Sequence, residues 1–251
     1  TSLQTAIDYA YSLGGSEVLL GNGNYSITAP LLVGGSSNVT LRGFSNLESG
    51  SSKITCKGTH CFKFKADTFS FLSIYNISFL GERGVTNFAD QALGGSWAWS
   101  TMQGCYVVNF NIIDLLLTGV HFLNNNFQNH VAVTLRGGDY TFRDNYFGYD
   151  SADTTKINSD SCVAIISSTG VNFDGNYLTS MKTTNAPITL SITNSQDIIA
   201  TNNWIDGGHS NSLKIDGGSY RVVCRNNRIG ITYPATCVPL KLSNVRDVDV
   251  S

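Results

Sequence analysis

Charge is what this sequence most lacks: Asp, Glu, Lys and Arg make up 14% of its 251 residues, and the net charge is −2. Without a basic excess there is no field to hold a polyanion, so nucleic acid is not expected as a partner. Proline is also scarce, at four residues. No apolar run approaches the roughly 18 residues of a membrane helix, so membrane insertion is not expected either. No signal peptide opens the chain, and a first residue of Thr1 reads as a trimmed end from which a leader or anchor has room to be missing. What is plentiful is glycine, 25 residues, with 41% hydrophobic residues and with Asn, Ser and Thr at the polar positions. That is the balance of an all-β, turn-rich protein, and the length suits one elongated domain as well as two compact ones.

The cysteines are Cys56, Cys61, Cys105, Cys162, Cys224 and Cys237. An even number permits three disulfides, but the spacing is scattered and a chain of this size does not need staples. The expectation is free, mostly buried thiols, as in a protein assembled in a reducing cytoplasm. CKGTHC at 56–61 brings two Cys and one His close together. No second cluster completes a tetrahedral ligand set, so no metal is expected, and no other cofactor.

One phrase recurs. VHFLNNNF (120–127), YTFRDNYF (140–147), VNFDGNYL (171–178), IIATNNWI (198–205) and VVCRNNRI (222–229) share an asparagine at one phase: Asn125, Asn145, Asn176, Asn203 and Asn227. The residues five and three before it are apolar or small, and the residue two after it is always apolar, which is strand periodicity on both sides. The Asn resets that periodicity, as a single left-handed residue does, and Asn tolerates this conformation best after Gly. The copies lie 20, 31, 27 and 24 residues apart. A further strand follows each: 131–138, 162–168, 187–193, 212–218 and 238–244. Strand, bend, short strand, variable loop and strand make one coil of a solenoid. Stacked coils would set the five Asn in a ladder about 4.8 Å apart, each carboxamide bonding the next. The fold expected is a single-stranded parallel β-helix.

Both ends fit. TSLQTAIDYAYSLGG offers Thr1 as N-cap with Gln4 three residues on, Leu3, Ile7 and Ala10 on one face, and Gly14 as a stop, so residues 1–15 read as a helix capping the solenoid. Residues 16–251 read as coils, with groove-side loops at 81–101, 148–161 and 206–211. VRDVDVS keeps strand rhythm to the last residue, so its open edge calls for more chain or a neighbouring subunit.

LQTAIDYAYSLGGSEVLLGNGNYSI, followed by LLVGGSSNVTLRG, resembles the opening of pectate-lyase-superfamily β-helix proteins, above all bacteriophage tailspikes and related appendages. The resemblance covers roughly residues 1–45, and beyond it only the coil pattern continues. It implies a right-handed β-helix that binds extended polysaccharide. It also implies a homotrimer in a virion tail, assembled in the host cytoplasm, that acts on capsule or lipopolysaccharide of the host bacterium. A secreted protein is the alternative.

In that family the substrate lies on the side where loops vary. Outward positions of the strand after the loops are Thr134, Arg136, Ala164, Thr189, Ser191, Lys214, Asp216 and Lys241, a mixed floor that a solvated sheet face would match equally well. Glycoside hydrolysis needs two carboxylates about 5–9.5 Å apart. The groove-side candidates are Asp150, Asp153, Asp160, Asp206 and Asp216. Asp206 and Asp216 share one coil, and Asp160 stands two coils from Asp216, about 9.6 Å by strand spacing. His209 is a candidate proton carrier. DSCVAI and GGHSNSLKI echo polygalacturonase segments weakly, since Ser161 replaces an Asp and an Arg is missing. A lyase would use Lys214 or Arg136 as base. Trp97 and Trp99 in GGSWAWST alternate and so are expected to point together out of a loop to stack on sugar. Arg136, Lys214 and Asp153 complete the expected substrate contacts. Tyr146, Tyr177 and Trp204, each just after a ladder Asn, are expected to form an outward stack. The function expected is a polysaccharide depolymerase working by paired carboxylates, with a lyase or a non-enzymatic glycan-binding appendage as alternatives.

Overall fold

A computed structural model describes residues 2–44, 51–65, 68–82, 85–91, 94–128, 130, 132–148, 161–180, 188–207, 211–230 and 238–251. The chain is a parallel β-solenoid whose coils lay strands on three faces, each strand pairing in parallel with its counterparts in the neighbouring coils. Face one begins with Leu31–Val33, His60–Phe64 and Asn87–Asp90, and continues through Ile112–Thr118, Ala132–Gly138, Ile188–Thr193 and Asn211–Asp216 to Val238–Leu242. Face two runs from Glu17–Leu20 through Gly35–Gly43 and Phe69–Tyr75 to Tyr220–Arg225 and Arg246–Val250. Ser161–Asp174 serves faces one and two without a break. Face three is a nine-stranded sheet from Gly23–Ile27 to Arg228–Ile229.

Alternation in each strand puts every second side chain inside, and parallel register stacks like on like. Val133, Val163, Leu190 and Leu213 form one buried row of face one. Phe122 stacks on Phe142 at 4.2 Å and Phe127 on Phe147 at 5.0 Å on the other two faces. Removing these side chains from water supplies the main driving force for stacking coils.

The asparagine ladder forms at the corner between faces two and three. Asn145 Oδ1 accepts from the Asn125 backbone N–H at 2.9 Å and from Asn125 Nδ2 at 3.0 Å. The same two bonds join Asn145 to Asn176, Asn176 to Asn203, and Asn203 to Asn227. Each Nδ2 also donates to a main-chain carbonyl, Asn176 to Phe142 at 2.9 Å. At the other end, the Cys105 N–H donates to Asn125 Oδ1. The left-handed residue, however, is the one before the ladder Asn: Asn124, Asp144, Gly175, Asn202 and Asn226, with φ between +53° and +64°. That residue turns the corner, which leaves the next to aim its carboxamide inward.

A second, shorter ladder occupies the corner between faces one and two. The Ser168 N–H donates to Ser195 Oγ, and the Ser195 N–H to Ser219 Oγ, both at 3.2 Å. Left-handed residues again precede it: Ser167, Asn194 and the Gly217–Gly218 pair.

At the N-terminal end, Leu3–Ser12 is helical and buries Ile7 and Ala10 against the first strands. Its N-cap is Ser2, whose Oγ accepts from the Thr5 N–H at 3.1 Å; Thr1 lies outside the described residues. Gln4 does not close a capping box. It pairs with the main chain of Leu32 as a strand would, accepting at 2.7 Å and donating at 3.1 Å.

Two expectations fail here. Cys56 and Cys61 form a disulfide, because the KGTH turn joining their strands brings the Cα atoms to 5.3 Å. Cys105, Cys162 and Cys224 are free and buried, and burial pushes each thiol up to about 12; Cys237 lies outside the described residues. Segment 81–101 is no simple loop either, since Asn87–Asp90 and Ser96–Ala98 pair into the coils and put Phe88 and Trp97 in the core.

Asn176→Ala would leave the Asn145 N–H without a partner inside the core and take one bond each from Asn145 Nδ2, the Phe142 carbonyl and Asn203 Oδ1, at about 1–3 kcal/mol for the orphaned N–H. The expected outcome is a loss of roughly 3 kcal/mol in denaturant unfolding, against a smaller loss for Asn227→Ala, whose bonds reach one coil only.

Candidate functional site

On face one, Asp114, Thr134, Ala164, Ser191, Lys214 and Lys241 form a single outward row across six coils. The row is not uniformly open. Ala164, Thr189 and Ser191 are buried, whereas Thr134, Arg136, Lys214, Asp216 and Lys241 reach solvent. Arg136 gives a bidentate grip to Asp114, at 3.1 and 2.8 Å, in the coil before it. An exposed pair of this kind adds little stability, but it commits the guanidinium to a partner within the protein.

Asp216 ends the strand Asn211–Asp216, level with Thr193 of the preceding coil. Its carboxylate accepts from Thr193 Oγ1 at 2.7 Å and forms an ion pair with Lys214 Nζ. Partial burial pushes the carboxyl up, but the Lys214 and Thr193 hydrogen bonds and the charges of Lys214 and Lys241 outweigh it, and the net shift is downward. Asp216 is therefore ionised at neutral pH, the state a base requires and an acid does not. Thr193 was not singled out from the sequence. Aligning the apolar alternation of LSI (190–192) with that of LKI (213–215) puts it opposite Asp216.

Asp206 belongs to face three, in Trp204–Gly207, level with Thr179; its Oδ1 accepts from the Gly207 N–H at 2.8 Å. Ser212 Oγ donates to the Gly207 carbonyl at 2.7 Å, which holds this segment over the start of the Asn211–Asp216 strand. Four residues at about 3.3 Å each then put Asp216 roughly 13 Å beyond Ser212. The expected Asp206–Asp216 pair is not brought together, because the two stand at opposite ends of the strand. The separation expected for Asp160 and Asp216 assumed a shared row as well. Ser161, the residue after Asp160, pairs with Ile188 and through it stands level with Asn211, five residues before Asp216. Asp150, Asp153, Asp160 and His209 themselves lie outside the described residues.

The two tryptophans part company. Trp97 is 1% exposed, and its indole N–H donates to the Leu72 carbonyl at 2.8 Å. It packs edge-on against Phe122 and is a core residue, not a sugar platform. Trp99 is 60% exposed. Its φ of +44° breaks the alternation that would have aligned it with Trp97 and lays its indole over Gly119, where no side chain could fit.

Tyr146, Tyr177 and Trp204 do stack outward on face three, at 5.4 and 5.2 Å, and the Arg228 guanidinium lies 4.0 Å from the Trp204 ring. Each ring covers its neighbour, so the faces a sugar would need are already occupied. The stack acts as a brace between coils.

No protein-family model matches the sequence, and no curated protein matches it. Solved structures do match the fold. The A-module of mannuronan C-5 epimerase AlgE4 from Azotobacter vinelandii aligns with a TM-score of 0.64 at 16% identity, over 99% of this chain and 90% of that one. DFA-IIIase from Arthrobacter chlorophenolicus A6 aligns at 0.62 and 10% identity, over 85% of this chain and 60% of that one. The Dettilon tailspike protein aligns at 0.58 and 14% identity, over 96% of this chain and 43% of that one. The chain thus shares the parallel β-helix architecture of epimerases and phage tailspikes, and spans less than half of the tailspike. Likeness at these identities is likeness of fold.

The contrast between the tryptophans is directly measurable. Trp97→Ala should cost about 3–5 kcal/mol in unfolding free energy, as deletion of a buried aromatic does. Trp99→Ala should leave stability nearly unchanged while lowering the iodide-quenchable tryptophan fluorescence to that of Trp204, which is 37% exposed.

Proposed function

We propose that this protein is a phage tailspike-like β-helix that binds bacterial surface polysaccharide along face one and hydrolyses it with Asp216 as general base. The observation that carries the reading is the Asp216 carboxylate, paired with Lys214 and accepting from Thr193, beside the outward Lys214–Lys241 pair. A polysaccharide lying over this strand would meet Lys214, Lys241 and the Asp216 carboxylate on one rigid surface. Asp216 would take a proton from water as the water oxygen attacks the anomeric carbon. A second acid would protonate the departing glycosidic oxygen. Asp150, Asp153, Asp160 and His209 are the candidates for that acid; Asp206 is too far along the strand. Arg136 serves better as a partner of Asp114 than as a lyase base. A right-handed, helix-capped homotrimer carried on a virion tail completes the reading, supported by the resemblance of residues 1–45 and by the tailspike fold likeness.

The test is incubation with a panel of capsule and lipopolysaccharide preparations, following released oligosaccharides by mass spectrometry. Products that have gained water are expected, and Asp216→Asn should reduce their release on the order of 10²–10⁴-fold while retaining binding. Because the Asp216 pKa is lowered, activity should persist as pH falls through the ordinary carboxylate range near 4 and fail only below it. Unsaturated sugar ends would instead indicate a lyase. Binding without any product would make the protein a recognition module.

A further inference from the structure

Beside Asp216, where face one turns into face two, three successive coils enclose a cleft of about 340 Å³. We infer that this cleft is a subsite for one neutral sugar residue of the bound polysaccharide. The inference rests on the polysaccharide reading above and adds to it a position and a chemical class.

The size comes first. Small-molecule clefts run from about 300 to 1,000 Å³, so this one sits at the lower end and suits a single ring, not a chain. Its lining includes Ser167, Thr169, Asn194, Gln196, Gly218 and Tyr220, none of which is charged. Hydroxyls and carboxamides both donate and accept, which is the pattern that sugar hydroxyls match. Three of these groups are already joined: Tyr220 Oη donates to Gln196 Oε1, and Gln196 Nε2 donates to Thr169 Oγ1 at 3.1 Å. The chain of bonds fixes their directions before a ligand arrives, which lowers the ordering cost of binding.

Two of the ionised pairs at the rim are internal to the protein. Asp216 is paired with Lys214, and Arg221 with Asp197. Arg221 and Arg246 lie against the Tyr220 ring at 4.6 and 5.2 Å, so what Tyr220 contributes is its hydroxyl. An anionic sugar would find no cation among the described lining residues and the Asp216 carboxylate next to them, with Arg246 reaching the Tyr220 ring. The backbone explains why the space exists. Ser167, Asn194 and Gly217 are left-handed corner residues stacked above the buried serine ladder, and Gly218 lengthens its corner by one residue relative to the two coils before it. A Cβ on Gly218 would meet nothing within 4 Å.

Two substitutions respect that backbone. Gly218→Asn keeps a residue that tolerates positive φ and fills the cleft; Asn194→Gly keeps the corner and removes a carboxamide. The probes are the methyl glycosides of glucose, mannose, galactose and rhamnose, with sodium galacturonate as the anionic comparison, read by saturation-transfer NMR on the folded variants. At least one neutral glycoside should receive saturation from the wild-type protein. Each substitution should weaken that signal roughly fivefold, and galacturonate should receive none. Transfer that survives both substitutions would overturn the subsite while leaving the polysaccharide reading in place, as would a signal from galacturonate equal to the best neutral sugar. Silence from all four neutral glycosides would also overturn it, with polysaccharide release remaining the separate arbiter of function. Circular dichroism and the melting temperature establish that each variant is folded; if Gly218→Asn is not, Asn194→Gly alone decides.

Discussion

A single hydrogen-bond geometry, asparagine carboxamide to the asparagine above it, recurs through the coils from Asn125 to Asn227 and holds them in one register. These groups are buried, so from Asn125 onward each coil presents an amide at the same height as its neighbour, where the two coils before it place Cys105 and Ile77. Asn125, Asn145, Asn176, Asn203 and Asn227 do so through paired bonds of 2.8–3.0 Å. Once the height is fixed, the strands on either side have one register, and their apolar rows stack. Phe122 on Phe142 and Phe127 on Phe147 are consequences of that register, as are the outward braces of Tyr146, Tyr177 and Trp204.

The same constraint leaves the opposite edge of each coil free. Copies of the repeat differ in spacing by up to eleven residues, 20 against 31, without disturbing the ladder, since the extra residues fall in the sequence between a strand of face three and the next strand of face one. The proposed site lies where the coils reopen onto face one. There Lys214, Asp216 and Thr193 form a connected polar group, and the serine-lined corner beside it opens a cleft. A rigid floor costs a ligand little reorganisation, which is why a solenoid can bind with modest, mostly uncharged contacts.

Much of this was legible in the sequence. The five Asn, the alternation around them and the strands that follow are local patterns, and a repeated pattern gives the same answer several times over. The outward aromatic stack was legible for the same reason. What misled was anything that depended on where one segment stands relative to another. Trp97 and Trp99 are two residues apart, yet one left-handed φ at Trp99 sends one into the core and the other to solvent. Asp206 and Asp216 share a coil but stand at opposite ends of a strand. The Cys56–Cys61 bond needed a turn geometry that residue counting does not supply. The serine ladder at Ser168, Ser195 and Ser219 was missed because serine is common and its spacing is masked by the extra Gly218. Of the expected site residues, Asp153, Asp160 and His209 fall in the variable segments, where no repeat constrains them, whereas Arg136, Lys214 and Asp216 stand on strands.

The central claim is that polysaccharide is held by face one and the corner beside Asp216. Hydrogen exchange measured with and without a capsule or lipopolysaccharide preparation that binds the protein tests it most directly. The account predicts slowed exchange for amides in 191–196 and 214–220, with those of 146–148 and 177–179 on face three unchanged. Slowed exchange along face three, with 191–196 and 214–220 unaffected, would contradict it.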